Sequence, residues 1–194
     1  MIARHFLFSI RSQKPTLPTE LIGTRARPRS VCAIWNIYAE SIMDQELAND
    51  FKEFLRLLRA PGVEYLLIGG WAVGYHGYPR STDDLDIWIA VSPANAERVV
   101  KVLTDFGFDV PELSTALFLQ PDQIVRMGFE PVRIEVMTSI SGVEFEECYR
   151  ERLETTLDDE PVSLINLHHL RLNKKASGRL KDLNDLENLP PSPS

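Results

Sequence analysis

Cysteine is nearly absent from this 194-residue chain, which has only Cys32 and Cys148. Their separation fits neither a metal-ligand pair nor a Cys-x-x-Cys motif. Nothing therefore points to thiolate metal or dithiol redox chemistry, and a reducing, cytoplasmic setting is the simplest expectation. The adjacent histidines His168 and His169 lack the further spaced ligands a zinc site needs, so packing is the expected role. No apolar run approaches the roughly 18 residues of a membrane-spanning helix. Positive charge is also short: 21 Lys and Arg face 28 Asp and Glu, a net charge of −7. That balance disfavours broad nonspecific nucleic-acid binding, which needs a basic footprint. It leaves room for one small basic pocket that accepts a phosphate-bearing ligand. No internal repeat is present.

What the chain does have is a hydrophobic content of 44% beside 25% charged residues, enough to bury a core in one domain of ordinary size. Charge is unevenly spread. Residues 1–42 hold Arg4, Arg11, Lys14, Arg25, Arg27 and Arg29 against Glu20 and Glu40. They also hold Pro15, Pro18 and Pro28 and show no sustained periodicity. Three readings fit: a disordered basic arm, an Arg-rich targeting peptide, or an extension upstream of a natural start at Met43. The third is preferred because recognisable structure begins directly after Met43. On each reading residues 1–42 stand outside the fold, residues 43–189 form the domain, and 190–194 are a tail.

Within the domain, Asp44 is placed to cap a helix to about Arg59, with Leu47, Phe51, Phe54, Leu55 and Leu58 on one face. Pro61-Gly62 ends it. Val63 to Ile68 reads as a buried strand, Gly69-Gly70 as a turn, and Trp71 to Gly77 as one or two helical turns. A second strand lies within Ser81 to Ala90. Ser92-Pro93 starts a helix that runs to about Asp105. A short helix over 112–119 and strands at 124–129 and 133–137 follow. Then come a helix from Glu144 to Leu153, a strand from Val162 to Ile165, and helices over 167–176 and 180–189. This order predicts an α/β (α+β) domain, a mixed central sheet flanked by helices, with a helical C-terminal portion.

Residues two apart on a strand share a face, so Asp84 and Asp86 project together while Leu85 and Ile87 face the other way. Two neighbouring carboxylates repel, and without a cation one tends to keep its proton. Mg²⁺ suits such a pair because it favours carboxylate oxygen while retaining water and phosphate ligands. Glu135, between Ile134 and Val136, is the candidate third carboxylate on a neighbouring strand. Asp83 points to the opposite face and reads as a solvated turn residue. Ahead of the pair, Gly69-Gly70 removes side chains where a backbone can approach phosphate.

The stretch Ile68-Gly69-Gly70, a gap, then Asp84-Leu85-Asp86-Ile87 resembles the signature of the nucleotidyltransferase superfamily, with Glu135 in "RIEVM" at the place of its third carboxylate. Many relatives carry Asp there, and Glu is longer by one methylene. "GGWAVGYHGYPRSTDDLDIWI", "RIEVMTSISGVEFEECY" and "VSLINLHHLRLNKKASGRLKDLNDLENL" extend the similarity over nearly all of residues 44–189. They resemble small bacterial minimal-nucleotidyltransferase and abortive-infection toxin types. The resemblance implies a nucleotidyltransferase fold and Mg²⁺-dependent transfer of an NMP from an NTP to an acceptor hydroxyl. It also implies a tRNA or protein acceptor and an antitoxin partner. The competing readings are a small-molecule nucleotidyltransferase of the antibiotic-modifying kind and a catalytically silent nucleotide-binding protein of the same fold.

On this reading Asp84, Asp86 and Glu135 bind metal, and Gly69 and Gly70 contact phosphate. Arg80 either holds a phosphate or pairs with a carboxylate. Ser81 and Thr82 either donate to phosphate or cap a turn. Lys174, Lys175, Arg179 and Lys181 form a local basic cluster beside Asp182 and Asp185. It fits triphosphate binding, with Lys174 or Lys175 matching the basic residue of similar proteins, or a set of surface ion pairs such as Lys181 with Asp185. His76 either lines the pocket or bonds to backbone in the core. Trp71, Tyr75, Tyr78 and Trp88 read as core.

Overall fold

The computed structural model describes residues 9–12, 47–129 and 132–191. In chain order the elements are β1 (Ser9–Ser12), α1 (Asn49–Arg59), β2 (Tyr65–Leu67), α2 (Gly69–Tyr75), β3 (Asp84–Ile89), α3 (Pro93–Asp105) and α4 (Thr115–Phe118). They continue with β4 (Gln123–Phe129), β5 (Val132–Met137), α5 (Phe145–Arg150), β6 (Leu153–Leu157), β7 (Glu160–Leu164), α6 (Leu167–Ser177) and α7 (Leu180–Asn188). The strands form one sheet in the order β1-β4-β5-β3-β2-β7-β6. β3 runs parallel to β5 and β2 parallel to β7, while the other pairs are antiparallel. The expected mixed sheet with flanking helices and a helical C-terminal portion is therefore present. No helix among the described residues is long and apolar enough to cross a membrane.

Period-2 alternation gives the central strands two unlike faces. Leu85, Ile87 and Ile89 of β3, Ile134 and Val136 of β5, and Val125 and Met127 of β4 are all buried. They share one core with Phe51, Phe54, Leu55 and Leu58 of α1 and Val99, Val102 and Leu103 of α3. Phe54 meets Phe106 edge-on, ring centroids 5.1 Å apart. Burial of side chains of this size contributes about 1.5–3 kcal/mol each, so this face fixes the register of the strands. The alternate residues, Asp84 and Asp86, Arg133 and Glu135, Arg126, line an open cleft on the other face.

Local chemistry sets most boundaries. Ser92 accepts a hydrogen bond from the Asn95 backbone N–H at 3.3 Å, with Pro93 at the first helical position. Asn166 caps α6 by accepting from His169 N at 2.8 Å, and Gly178, in the left-handed region, ends it.

Several boundaries differ from the sequence reading. α1 begins at Asn49, not after Asp44, which lies outside the described residues. Leu47 is instead held outside the helix, its N–H donating to Asp158 Oδ2 at 2.7 Å. α2 begins at Gly69, so Gly69-Gly70 is the first turn of a helix rather than a separate turn. The helix expected over 144–153 stops at Arg150, and Leu153 opens β6, a strand the sequence reading lacks. β6 and β7 form a hairpin through Asp158-Asp159, both at positive φ, a backbone state in which Asp is tolerated although Gly or Asn is commoner. Four residues of the segment set aside, Ser9–Ser12, run along β4 as an edge strand. The rest of 1–42, Cys32 included, lies outside the described residues.

Candidate active site

Strand pairing brings the carboxylates together. In the parallel ladder Asp84 stands opposite Arg133 and Asp86 opposite Glu135, and in the antiparallel ladder Arg126 stands opposite Glu135. The result is a checkerboard of charge across β3, β5 and β4. Arg133 Nη2 donates to Asp84 Oδ2 at 2.8 Å, and Arg126 Nε donates to Glu135 Oε1 at 2.7 Å. Arg133 Nε also stands 3.4 Å from Glu135 Oε1. One pairing breaks the pattern, because Asp86 faces Glu135 with like charge. Burial, then the charges of Glu135 and Asp84, push Asp86 up to about 6, although Lys174 and the Gly70 N–H pull the other way.

The two glycines have an internal reason to be glycine. Gly69 has φ +64°, and a Cβ there would overlap the Asp86 carboxylate, with Asp86 Cγ at 2.6 Å. A Cβ on Gly70 would run into Thr82, whose own Cβ would be 2.6 Å away. Removing side chains at 69 and 70 thus lets the start of α2 close against Asp86 and Thr82. Gly70 N–H bonds to the Asp86 carboxylate. Both glycines and Thr82 also line the cleft. Thr82 Oγ1 donates to Asp84 O at 3.3 Å, at the start of β3. Ser81 is exposed and does not line the cleft, although its carbonyl accepts from Arg80 Nη1.

The C-terminal cluster resolves into a buried ion network. Lys174 Nζ stands 2.7 Å from Asp182 Oδ1 and 2.9 Å from Asp185 Oδ2, and all three residues are buried. Arg80 joins by donating to both oxygens of Asp185 at 2.8 and 3.2 Å. Arg179 Nε donates to Asp182 Oδ2 at 2.6 Å. Burial alone would raise Asp182, but hydrogen bonds from Arg179 and Lys174 outweigh it and bring its pKa to about 2. The surface pair of Lys181 with Asp185 is not formed: Asp185 turns inward to Arg80 and Lys174 because α7 packs that face against α6. Of the expected phosphate ligands, Arg80, Lys174 and Arg179 line the cleft with these carboxylates already attached, while Lys175 is exposed and does not line it.

His76 is half-buried and does not line the cleft; its Nε2 donates to Ile165 O at 2.8 Å, and burial lowers its pKa. Trp71 and Trp88 are buried, and Trp88 Nε1 donates to Thr138 O. Asp83 is exposed.

The cleft has a volume of about 890 Å³, inside the roughly 300–1,000 Å³ range of small-molecule and cofactor sites. Asp84, Asp86, Asp122, Glu135 and Asp182 line it, against Arg80, Arg126, Arg133, Lys174, Arg179 and Lys181. Asp185, which holds Arg80 and Lys174 from behind, brings the carboxylates and the basic groups around the cleft into balance.

Three carboxylate groups with hard oxygen donors fit Mg²⁺ by chemistry. Asp84 Oδ1 is buried with no hydrogen-bond partner, an acceptor directed into the structure with nothing to accept. Burial first, then repulsion from Glu135 and Asp84, raises Asp86, and a cation would remove the repulsive part. Among the described residues no three His, Cys, Asp or Glu form a ready metal cluster, and Arg133 and Arg126 hold oxygens such a cation would use. The sequence reading misses both arginines as site residues. Their signal was the alternation Arg126-Met127-Gly128 and Arg133-Ile134-Glu135, which puts them on the face of Glu135 once β4 and β5 are paired. Compared with known proteins, the chain matches no family model and no curated protein.

Proposed function

We propose that this chain is a Mg²⁺-dependent nucleotidyltransferase that moves an NMP from an NTP to an acceptor hydroxyl. The observation that carries the reading is the like-charge pair Asp86–Glu135 in register on parallel strands, with Asp84 two residues along the same face. A like-charge carboxylate pair in a cleft that basic side chains also line suits a cation and a polyphosphate together.

The acceptor oxygen attacks the α-phosphorus, a new P–O bond forms, and the bond to pyrophosphate breaks. The hydroxyl proton passes to a carboxylate of the set, for which Glu135 is the candidate. Asp84, Asp86 and Glu135 would hold Mg²⁺, which when bound stabilises charge on the phosphate oxygens and aligns the attacking hydroxyl. The glycine turn keeps Asp86 in place, and the cleft's basic side chains orient the phosphates. The nucleotidyltransferase fold, the tRNA or protein acceptor and the antitoxin partner rest on the sequence resemblance. A small-molecule acceptor belongs to the same chemistry.

The second reading, a catalytically silent nucleotide-binding protein, draws on one specific observation: Asp84 and Glu135 already have guanidinium partners. A radiolabelled-NTP transfer assay with cell extract, wild type beside Asp84→Ala/Asp86→Ala, separates the two. Labelling that depends on the aspartates is expected, and equal labelling by both proteins would overturn the catalytic assignment. Mg²⁺ at about 100 times its Kd should stabilise the wild type by about 2.7 kcal/mol and leave the double variant unchanged.

A further inference from the structure

The checkerboard on β3, β5 and β4 contains two arginines, Arg126 and Arg133, that already hold carboxylates assigned to Mg²⁺. Asp84 is held by Arg133, and Glu135 by Arg126 with Arg133 close by. Both arginines rise from central strands, directly opposite the carboxylates they hold. A guanidinium and a divalent cation compete for the same carboxylate oxygens, because each neutralises the same charge at hydrogen-bond or coordination distance. The backbone of each arginine is fixed in the ladder and its side chain lines the cleft, so donors released from a carboxylate stay beside whatever the cleft binds. Such donors gain from a new acceptor, since a partly buried hydrogen bond left unmade is costly. The planar fork matches phosphate oxygen as well as carboxylate.

We infer that Arg126 and Arg133 are exchangeable counter-ions, holding Glu135 and Asp84 until a divalent cation takes those oxygens and then turning to the phosphate oxygens of the nucleotide. Cation and polyphosphate therefore bind cooperatively, and each binds weakly alone. The identity of the ligand rests on the nucleotidyltransferase reading, while the test does not require transfer to occur.

The experiment is calorimetric titration of the full chain at pH 8. Wild type and Arg126→Gln/Arg133→Gln are titrated with MgCl₂ alone and with inorganic triphosphate in excess Mg²⁺. The two affinities should move in opposite directions. The variant is expected to bind Mg²⁺ more tightly and Mg-triphosphate more weakly, each by about 5- to 150-fold, the usual range of a coupling between sites. A merely structural role for the arginines would weaken both, and melting in EDTA reports any loss of fold. Should the double variant fail to melt cooperatively, Arg126→Gln alone, which leaves Arg133 on Asp84, gives the same signs with smaller shifts. Unchanged or weaker Mg²⁺ binding in the variant overturns the exchange, as does unchanged binding of triphosphate. Opposite shifts without label transfer overturn only the catalytic reading, and label transfer without a gain in Mg²⁺ affinity overturns only the exchange.

Discussion

Replacing Gly69 by alanine tests whether the glycine turn fixes Asp86. The backbone at Gly69 has φ +64°, which costs a residue with a Cβ about 1–2 kcal/mol. The added methyl would also overlap the Asp86 side chain, with Cγ at 2.6 Å and Cβ at 2.8 Å. Overpacking of this kind adds about 1–3 kcal/mol, so Gly69→Ala should lose about 2–5 kcal/mol in all. Gly62 is the internal control, with φ +70° and nothing within 4 Å of a new Cβ. Gly62→Ala should show the backbone cost alone. Equilibrium urea denaturation measures both, and a double-mutant cycle with Asp86→Ala isolates the clash. In that background the carboxylate is gone and only the Asp86 Cβ crowds the new methyl. The Gly69→Ala penalty should therefore shrink by about 1–2 kcal/mol. If Gly69→Ala costs no more than Gly62→Ala, or if the two penalties simply add, Asp86 swings aside freely and the turn does not position it.

Asp86→Asn should stabilise the protein at pH 8 by about 1–3 kcal/mol, because a carboxyl raised to about 6 destabilises the fold once ionised. The folded state binds the extra proton between the ordinary value of 3.8 and about 6, so the gain should fade across that window and vanish below it. A gain independent of pH would mean that charge is not its cause. Lys174→Met removes one of the two cations on each of the buried Asp182 and Asp185, leaving Arg179 and Arg80, and should cost about 1–3 kcal/mol at pH 7. Wild-type stability measured by denaturation at that pH would refute the network's role. Asp182, held at about 2, contributes stability that is present above 3.8 and lost as pH falls through 2; Asp182→Asn should flatten the acid limb in that window.

Much of the candidate site is legible in the sequence because strand periodicity is a local property. Alternation alone puts Asp84 with Asp86 and sets Leu85 and Ile87 against the core. Ser92-Pro93, Asn166 and Gly178 mark helix ends for equally local reasons, since a cap needs only its own turn. β6 is less legible because it is an edge strand with exposed residues, and its Asp158-Asp159 turn lacks the usual glycine or asparagine. The start of α1 is displaced by a contact 111 residues away, Leu47 with Asp158, which no window of sequence contains.

The sequence by itself determined which residue types could meet: two aspartates on one strand face, a glutamate between apolar neighbours, and glycines ahead of them. Only the tertiary structure decided who stands opposite whom. Ladder register places Asp86 against Glu135 and sets Arg133 on Asp84 and Arg126 on Glu135. Helix packing turns Asp182 and Asp185 inward onto Lys174, so a cluster that reads as a solvated surface becomes a buried network. The physical reason is the same in each case. A charge acquires its meaning from its nearest counter-charge and its distance from water, and both are set by strand pairing and packing between residues far apart in the chain.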